Sequence, residues 1–472
     1  SDWRATGPVS FKGRLRDDLI EGRIGSMLNV LGTRYTRAYQ ELALQSRLGI
    51  PLLFGMDVIH GYLTTFPIPL GEAASFDLQA IERSARIAAT EAAAAGIHWT
   101  FAPMVDVGRD PRWGRVMEGA GEDTFLGARI AAARVRGFQG RLGDTDAVLA
   151  TAKHFAGYGW ATGGRDYNTV DMSERMLREA VLPPFKAAVE AGVATFMNAF
   201  NDLNGVPATG SALLQRRILK GEWGFQGLMV SDWGSIGEMQ PHGHAADQRD
   251  AARKAIEAGC DMDMESHAYT AHLAALVREG VVAESVVDDA VRRVLRCKFA
   301  LGLFDDPFRF CDDEREHRTL GRAEHRRAAR DIAARSIVLL KNEGGVLPIR
   351  LGAPAAESKG GGHHQGGRVP TIALIGPLAT AQMEHHGAWS VTLPEFDYAP
   401  FITSHLQGLR ERAGQAARVL CAPGCDLEGE RRDGFAEAVA LAEHADVVIV
   451  SVGESAAMSG ETLFKATAKV AL

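Results

Sequence analysis

The sequence predicts an α/β protein of two domains: a (β/α)8-type TIM barrel, then an incomplete α/β open-sheet sandwich domain. Three observations support this. The chain has 472 residues, more than one ordinary core accommodates. From about residue 20 to 305, short apolar runs alternate with longer amphipathic stretches, as in parallel strands joined by helices. A second, shorter series of β-branched runs follows residue 370.

The barrel prediction depends on apolar runs of strand length with helices between them. Segments 80–96 and 173–192 carry apolar residues every three to four positions and end in Gly, as amphipathic helices do. Roughly 285 residues of such alternation favour a closed barrel. The predicted strands are SMLNVLG (26–32), PLLFGMDVIHG (51–61), HWTFAPMVDV (98–107), DAVLATAKHF (146–155), VATFMNAFN (193–201), GLMVSDW (227–233) and CDMDM (260–264).

Beyond the barrel domain (residues 1–305) the chain divides into three segments. Residues 306–350 are predicted as a helical connection and residues 351–370, rich in Gly and polar residues, as a flexible loop. Residues 371–472 are predicted as a partial α/β sandwich domain. About three strands make an incomplete sheet with an unpaired edge, which invites association into a homo-oligomer. Those strands are TIALIGP (371–377), ARVLCAPG (417–424) and DVVIVSVGE (446–454).

Composition narrows the classes of partner. A hydrophobic fraction of 46% with 24% charged residues is typical of a soluble globular protein, and a net charge of −7 favours no nucleic-acid partner. The sequence contains no uninterrupted run of about 18 apolar residues, so it predicts no membrane-spanning helix. The five scattered cysteines predict neither a disulfide scaffold nor a zinc motif, although a Cys421–Cys425 bridge is left open. A solvated loop is favoured over a metal site at His363 and His364.

Chemically versatile side chains stand at the carboxyl ends of the predicted barrel strands. A single polar residue there usually marks where a strand reaches water. A repeated set of Asp, Lys and His is typical of an active site, because the carboxyl ends of barrel strands meet on one face. The residues are Asp57, His60, Asp106, Lys153, His154, Asn198, Asn201 and Asp232.

Asp232 follows the apolar run Leu228–Val230, where a carboxylate is costly to bury without a partner or a function. Trp233 beside it offers a flat apolar face for the C–H side of a sugar ring. No adjacent set of oxygen ligands predicts a metal. Four further side chains are suited to binding several hydroxyls: Asp57, Arg115, Lys153 and His154. Together these residues predict a pocket for a small carbohydrate.

Seven longer motifs follow one another along the chain. They are GIPLLFGMDVIHG (49–61), FAPMVDVGRDPRWGR (101–115), KHFAGYG (153–159), GGRDYNTVDMS (163–173), WGFQGLMVSDW (223–233), AGCDMDM (258–264) and ARSIVLLKNEGGVLPI (334–349).

In this order and spacing the motifs resemble glycoside hydrolase family 3, most closely its bacterial periplasmic β-glucosidase branch, over residues 24–461. The resemblance implies a retaining exo-β-glycosidase, most closely a β-glucosidase, in a periplasmic or secreted location. An enzyme of this kind requires no cofactor and no metal, since two carboxyls and water suffice for the reaction. The chain begins SDWRATG, without Met or an apolar leader, so an export signal would not be visible.

The resemblance also implies roles for individual residues. Asp232, in the SDW motif, corresponds to the nucleophile, and Glu461, in SGE, to the acid/base, with Glu454 as the alternative. Lys153 and Arg115 are expected to keep Asp232 ionised, while an acid in the cleft has its pKa raised by burial. The residues expected to contact the sugar are Asp57, Arg115, Lys153, His154, Trp233, Phe200 and Trp389.

Three features depart from the family pattern. Phe200 stands where many members have Tyr, so a hydroxyl near the nucleophile is lost. The segment around Trp389 reads HHGAWSVTLPEF, unlike the family's Gly-rich loop. After Glu461 the sequence TLFKATAKVAL resembles nothing in the family, which leaves the support of Glu461 in doubt. The loop 160–173 contains no His, so the β-N-acetylhexosaminidase branch is disfavoured.

Two alternatives to a β-glucosidase remain open from the sequence. One is a β-xylosidase or α-arabinosidase of the same family, which would differ in the contacts to the sugar's hydroxymethyl group. The other is a truncated, catalytically weak sugar-binding fragment that has the barrel but no correctly placed acid.

Overall fold

The computed structural model describes residues 14–349, 369–393 and 396–461. The predicted flexible loop falls almost entirely outside these residues, as do His363, His364 and the segment after Glu461. The described chain forms two compact α/β units. The first contains the residues up to Ile337, Trp389–Leu393 and residues 460–461; the second contains the remainder.

Parallel strands form the centre of the first unit. They are β1 (Ser26–Leu28), β2 (Leu53–Met56), β3 (Trp99–Thr100), β4 (Thr151–Phe155), β5 (Thr195–Asn198) and β8 (Leu228–Val230), and a small antiparallel hairpin contains β6 (Asp202–Leu203) and β7 (Val206–Pro207). Two sheets have the orders β1-β2-β3 and β4-β5-β8. Parallel bridges Trp99–Leu149 and Met104–Lys153 join them.

The seventh predicted strand, CDMDM (260–264), is only a single parallel bridge between Met262 and Val230. Its attachment to β8 depends partly on a side chain, because the Asp261 carboxylate accepts from the backbone N–H of Met229 at 2.9 Å. Lys220 donates to the same carboxylate at 2.6 Å. Because the Asp261 side chain takes the place of a backbone hydrogen bond, the pairing of residues 260–264 with β8 is short. The alternating pattern of the sequence does not reveal this substitution of side chain for backbone.

Helices cover the strands of the first unit. They are α1 (Leu15–Ile20), α2 (Thr33–Ala43), α3 (Pro69–Ala73), α4 (Leu78–Ala94), α5 (Thr124–Gln139), α6 (Glu174–Met176), α7 (Pro183–Glu190), α8 (Gln248–Ala258), α9 (Ala268–Arg278), α10 (Glu284–Ala300), α11 (Asp313–Thr319) and α12 (Ala323–Ser336). Wider π-helical turns occupy Leu177–Val181 and Leu213–Glu222. The predicted helix at 173–192 is therefore interrupted, because Pro183 and Pro184 lack the N–H groups that would continue it.

Local sequence explains where α4 and α5 begin and how closely these two helices approach each other. Asp77 caps α4 by accepting from the N–H of Ala80, and Asp123 caps α5 by accepting from the N–H of Leu126. A Cβ at Gly137 would lie 2.4 Å from the carbonyl oxygen of Glu82 in α4. Glycine at this position therefore permits the close contact between the helices.

The core of the first unit contains a group of hydrogen-bonded polar side chains and a group of packed aromatic rings. The indole N–H of Trp99 donates to Thr151 and Thr195 at 2.8 and 2.9 Å, which satisfies three buried polar groups. Phe155 packs edge to face against Phe196 and against Phe185 of α7, and the rings of Phe185 and Phe196 are tilted at 32° to each other. These contacts fix β4 and β5, the strands that end at the candidate site.

The second unit has a three-stranded parallel sheet of order β10-β9-β11. Its strands are β9 (Thr371–Ile375), β10 (Arg418–Ala422) and β11 (Val447–Val450), and its helices are α13 (His405–Ala413) and α14 (Phe435–Glu443). All five cysteines are free, so the Cys421–Cys425 bridge is not formed. Among the described residues, no helix combines the length and the apolar character needed to cross a membrane.

The predicted connection at 306–350 is helical only in part. α11 and α12 lie within it, but regular helix ends at Ser336. The apolar side chains that follow are exposed, with Ile337 at 80% and Leu340 at 91%.

Candidate active site

The candidate site lies at the carboxyl ends of β2, β4 and β8, where the loops after these strands meet. Lys153, in β4, extends its ammonium to Asp57, the first residue after β2, with Nζ to Oδ1 at 2.9 Å. The Lys153 side chain is buried, whereas that of Asp57 is 30% exposed. The pair therefore presents a carboxylate, steadied by a cation, to the open side of the site.

His154 connects two buried carboxylates. Its Nδ1 lies 2.9 Å from Oδ2 of Asp106, and its backbone N–H donates to the same oxygen at 2.8 Å. Its Nε2 lies 3.6 Å from Oδ2 of Asp232, which is beyond hydrogen-bonding distance. Burial, with Arg115 and Lys153 adding to it, lowers the pKa of His154 well below its ordinary value. The imidazole is therefore neutral near pH 7.

Asp232 is buried at the end of β8. Its Oδ1 accepts from the backbone N–H of Trp233 at 2.7 Å. Burial raises its pKa to about 7, although Arg115 and Lys153 act to lower it. Lys153 and Arg115 were expected to keep Asp232 ionised near neutral pH. Burial opposes the charged form more strongly than these cations favour it, so they do not hold the carboxyl fully ionised at pH 7.

Arg115 is already engaged by a carboxylate that sequence reasoning did not single out. Its Nε and Nη2 donate to the two oxygens of Glu118 at 2.6 and 3.0 Å, and both side chains are buried. Its Nη1 lies 3.6 Å from Oε2 of Glu461. A bidentate pair of this kind fixes the plane of the guanidinium. The remaining Nη1 is directed to Glu461.

Glu461 belongs to the first unit together with Gly460, whose N–H donates to the carbonyl oxygen of Gly114 at 2.8 Å. Its Oε1 accepts from the hydroxyl of Tyr167 at 2.6 Å. The alternative acid, Glu454, lies in the second unit and accepts from the hydroxyl of Ser459 at 3.2 Å. Glu461 is therefore the carboxyl that the structure brings to Arg115.

Aromatic rings border the cationic side chains. Trp389 has its ring centroid 5.4 Å from the Arg115 guanidinium and 5.6 Å from the Lys153 ammonium. Phe200 packs edge to face on Tyr167, with centroids 4.8 Å apart. Trp233 is half-buried beside Asp232. The sequence predicted Phe200, Trp233 and Trp389, and only their tertiary contacts show what each ring touches.

Several polar atoms at the site are buried and have no hydrogen-bond partner among the described residues. They are Oδ2 of Asp232, Nε2 of His154, Oδ1 of Asp106, the hydroxyl of Tyr158 and Oε2 of Glu238. Buried polar atoms are normally satisfied, so a group of unsatisfied ones indicates a place for a polar ligand. No group of His, Cys, Asp and Glu suited to a metal ion occurs in the described part of the chain.

Sequence reasoning missed four residues that surround Glu461 and His154: Glu118, Tyr158, Tyr167 and Glu238. Tyr158 packs edge to face on His154 at 5.2 Å. Burial and the Glu461 carboxylate raise the pKa of Glu238 to about 7. A signal existed for three of them: Tyr158 and Tyr167 lie inside quoted motifs and Glu118 lies just after one, but nothing in the sequence assigns them partners.

Comparison with known proteins gives this geometry a family. The family model for the N-terminal domain of glycosyl hydrolase family 3 matches residues 9–297, and that for its C-terminal domain matches residues 337–471. The chain belongs to glycosyl hydrolase family 3. The resemblance stated from the sequence motifs is thereby confirmed.

Family 3 relatives with curated names are similar along nearly the whole chain. A periplasmic β-glucosidase from Salmonella typhimurium is 39% identical over 97% of the chain and 60% of that protein's length. A β-xylosidase from Formosa agariphila is 32% identical over 94% of the chain and 62% of that protein. The chain thus spans about 60% of the length of these relatives.

Solved family 3 structures share the fold of the chain. The β-glucosidase from Listeria innocua in complex with glucose has a TM-score of 0.86 at 36% identity, covering 97% of this chain and 61% of that one. The same enzyme in complex with isofagomine has a TM-score of 0.84 at 37% identity, covering 93% and 58%. The two-domain α/β fold predicted from the sequence is confirmed at this level.

Proposed function

We propose that the chain carries the active site of a retaining exo-β-glycosidase, and that its substrates are terminal non-reducing β-D-glucosyl residues of oligosaccharides or aryl glucosides. The observation that carries the proposal is the buried Asp232 carboxyl beside Lys153 and His154, with Glu461 held nearby on Arg115. Similarity to named β-glucosidases supports glucose as the sugar.

The proposed chemistry is a double displacement. An oxygen of ionised Asp232 attacks the anomeric carbon, and the bond to the leaving oxygen breaks as that oxygen takes a proton from Glu461. Water then attacks the same carbon, gives its proton to Glu461, and the ester to Asp232 breaks. The Asp232 carboxyl must ionise to act, and the cations Arg115 and Lys153 favour that form once the site is occupied.

Binding of the sugar is assigned to the polar and aromatic groups around Asp232. The Asp57–Lys153 pair offers both an acceptor and a donor for neighbouring hydroxyls, and Nε2 of His154 is a further polar contact. Trp233, Trp389 and Phe200 supply apolar faces for the ring or the leaving group. Arg115 contributes by its positive charge, which lies 3.6 Å from Oε2 of Glu461.

We also propose that the first 305 residues form a TIM-like barrel, with residues 306–350 as a connection and 371–472 as a partial sandwich domain. The continuous parallel neighbours from β1 through β8 to Met262 support a barrel. Location in the periplasm or outside the cell is proposed by analogy with the Salmonella relative.

The nucleophile assignment has a direct test. Asp232→Ala should lower turnover of 4-nitrophenyl β-glucoside by at least about 10³-fold, because the covalent step has no substitute nucleophile. A 2-deoxy-2-fluoro-β-glucoside with a good leaving group should label the wild-type chain, and peptide mass spectrometry should place the label on Asp232. Asp288→Ala, at a carboxylate of α10 whose side chain is 53% exposed, is the control and should leave the label on Asp232. A label elsewhere would contradict the assignment.

A second candidate function is a β-xylosidase, because several relatives carry that name, including the one from Formosa agariphila. Rates on nitrophenyl glucoside, xyloside, arabinoside, galactoside and N-acetylglucosaminide separate the candidates. A kcat/KM higher on the glucoside supports the β-glucosidase, and a higher value on the xyloside or arabinoside replaces it. Labelling of Asp232 without turnover of cellobiose would instead indicate the catalytically weak sugar-binding fragment.

A further inference from the structure

Among the described residues, Glu461 has one short side-chain contact, and it comes from Tyr167. The phenol donates to Oε1 at 2.6 Å, whereas Nη1 of Arg115 stays 3.6 Å from Oε2. Arg115 cannot readily move closer, because Glu118 holds its other two nitrogens. The two oxygens of Glu461 therefore differ: Oε1 accepts a hydrogen bond from Tyr167, whereas Oε2 has no hydrogen bond from any described residue.

Tyr167 is itself held in place. Its ring packs edge to face on Phe200, and its backbone has a φ of +65°, in the left-handed region that residues other than glycine seldom adopt. The preceding residue, Asp166, accepts from the indole N–H of buried Trp113 at 2.6 Å. A conformation that costs energy persists where the surroundings determine it. These contacts place the hydroxyl before any ligand binds.

The phenol also remains a donor throughout the working pH range. Burial and the Glu461 carboxylate raise the pKa of Tyr167 well above its ordinary value. A neutral donor fixes a carboxyl without adding a counter-charge. A second carboxyl, that of Glu238, lies close enough to both groups for its charge to act on each, so a donor at this point also relieves crowding of negative charge.

We propose that Tyr167 is a positioning residue for the acid/base of this site: it holds Oε1 of Glu461 so that Oε2 is the oxygen that exchanges the proton. This rests on the proposed function. In the first step the proton on Oε2 passes to the leaving oxygen as the glycosidic bond breaks. In the second step Oε2 takes a proton from the attacking water. Tyr167 keeps its own proton in both steps.

The test uses the dependence of rate on the leaving group, which a merely structural role would not change. Tyr167→Phe keeps the ring on Phe200 and removes the hydroxyl. Turnover of cellobiose, whose leaving group needs a proton, should fall about 10-fold or more, with KM changed by less than about 3-fold. Turnover of 2,4-dinitrophenyl glucoside in the glycosylation step should stay within about 2-fold, because that leaving group needs no acid.

Two other variants define what the results mean. The quantity compared is the rate on 2,4-dinitrophenyl glucoside divided by the rate on cellobiose. Tyr269→Phe removes another partly buried hydroxyl, which donates to the carbonyl oxygen of Cys260 at 2.7 Å, and should leave this ratio unchanged. Glu461→Gln should raise that ratio more than Tyr167→Phe does. If Glu461→Gln raises the ratio and Tyr167→Phe does not, the inference is overturned and the proposed function survives. If Glu461→Gln fails to raise it, or the wild type is inactive, the proposed function fails.

A second measurement does not depend on activity or on a loss of stability. Replacing Tyr167 by 3-fluorotyrosine changes one atom and preserves the hydroxyl. The fluorine NMR resonance should shift when Glu461→Gln is introduced, because the carboxylate that accepts the phenol proton has become an amide. An unchanged resonance would place the hydroxyl away from Glu461 and overturn the inference.

Discussion

At the scale of single residues, Asp232 shows how burial competes with neighbouring charge. Two cations lie near it, yet its pKa is raised to about 7 because the carboxyl is almost fully removed from water. Ionising the Asp232 carboxyl therefore costs free energy. Ligand binding that brings polar groups to Oδ2 would lower this cost, since that oxygen has no partner among the described residues.

This predicts a stability effect whose sign depends on pH. The folded-state pKa of Asp232 is raised from 3.8 to about 7, so its contribution to stability is fully present below about pH 4 and is lost as the pH rises through 7. Asp232→Asn removes the charge that must be buried at high pH. The variant should be more stable than the wild type at pH 8, by about 2–4 kcal/mol, and about equally stable at pH 4.

Urea denaturation at several pH values measures this difference. The control is Asp250→Asn, because the pKa of that partly buried carboxyl is lowered to about 2 by its lysine, arginine and backbone partners. That substitution should destabilise rather than stabilise at pH 8. A variant Asp232→Asn that is less stable than the wild type at pH 8 would show that Arg115 and Lys153 outweigh the burial after all.

At the scale of elements, the orientation of β4 and β5 depends on the aromatic rings that pack against these strands. Phe196 is completely buried and has edge-to-face contacts with Phe155 and Phe225. β4 carries Lys153 and His154, and β5 leads into the turn with Phe200. The packing of these rings therefore affects the positions of Lys153, His154 and Phe200 through the backbone of β4 and β5.

Phe196→Ala should lower the free energy of unfolding by about 3–5 kcal/mol, because a buried ring is lost and a cavity is left. Urea denaturation followed by tryptophan fluorescence measures the change. Phe125→Ala is the control: its ring is 74% exposed, and the effect should stay within about 0.5 kcal/mol. Equal effects for the two substitutions would contradict the packing account of these strands.

At the scale of the whole molecule, the described part of the second unit exposes apolar side chains beside an edge strand. In its described part, β11 pairs with β9 and has no second neighbour. Val448, Val450 and Val452 are 43%, 60% and 42% exposed. An exposed apolar edge is a template for pairing with another chain. We therefore expect the chain to self-associate as its concentration rises.

Val450→Lys should reduce this association, because a charge on an edge strand opposes pairing. Light scattering across a concentration series measures the apparent mass of the wild type and the variant. Val281→Lys, at a valine of the first unit that is 45% exposed, is the control and should leave the mass unchanged. A wild type that stays monomeric over the series would refute the expectation.

The sequence by itself determined the family, the two-domain α/β fold, six of the seven predicted strand positions in the first unit and the set of residues at the strand ends. These depend on local signals: apolar periodicity, glycines at helix ends and motifs of seven to sixteen residues. The sheet edge in the second unit was also visible from the small number of strands. Each of these signals lies within one short stretch of chain, so no folding is needed to read it.

Only the tertiary structure decided the pKa of Asp232 and the environment of Glu461. Burial of Asp232 is set by packing from several loops, which no single segment encodes. Tyr167 and Glu461 are 294 positions apart, and their hydrogen bond follows from where two distant segments meet. Charge and motif can be seen in the chain, but desolvation and contact arise only when the chain is folded.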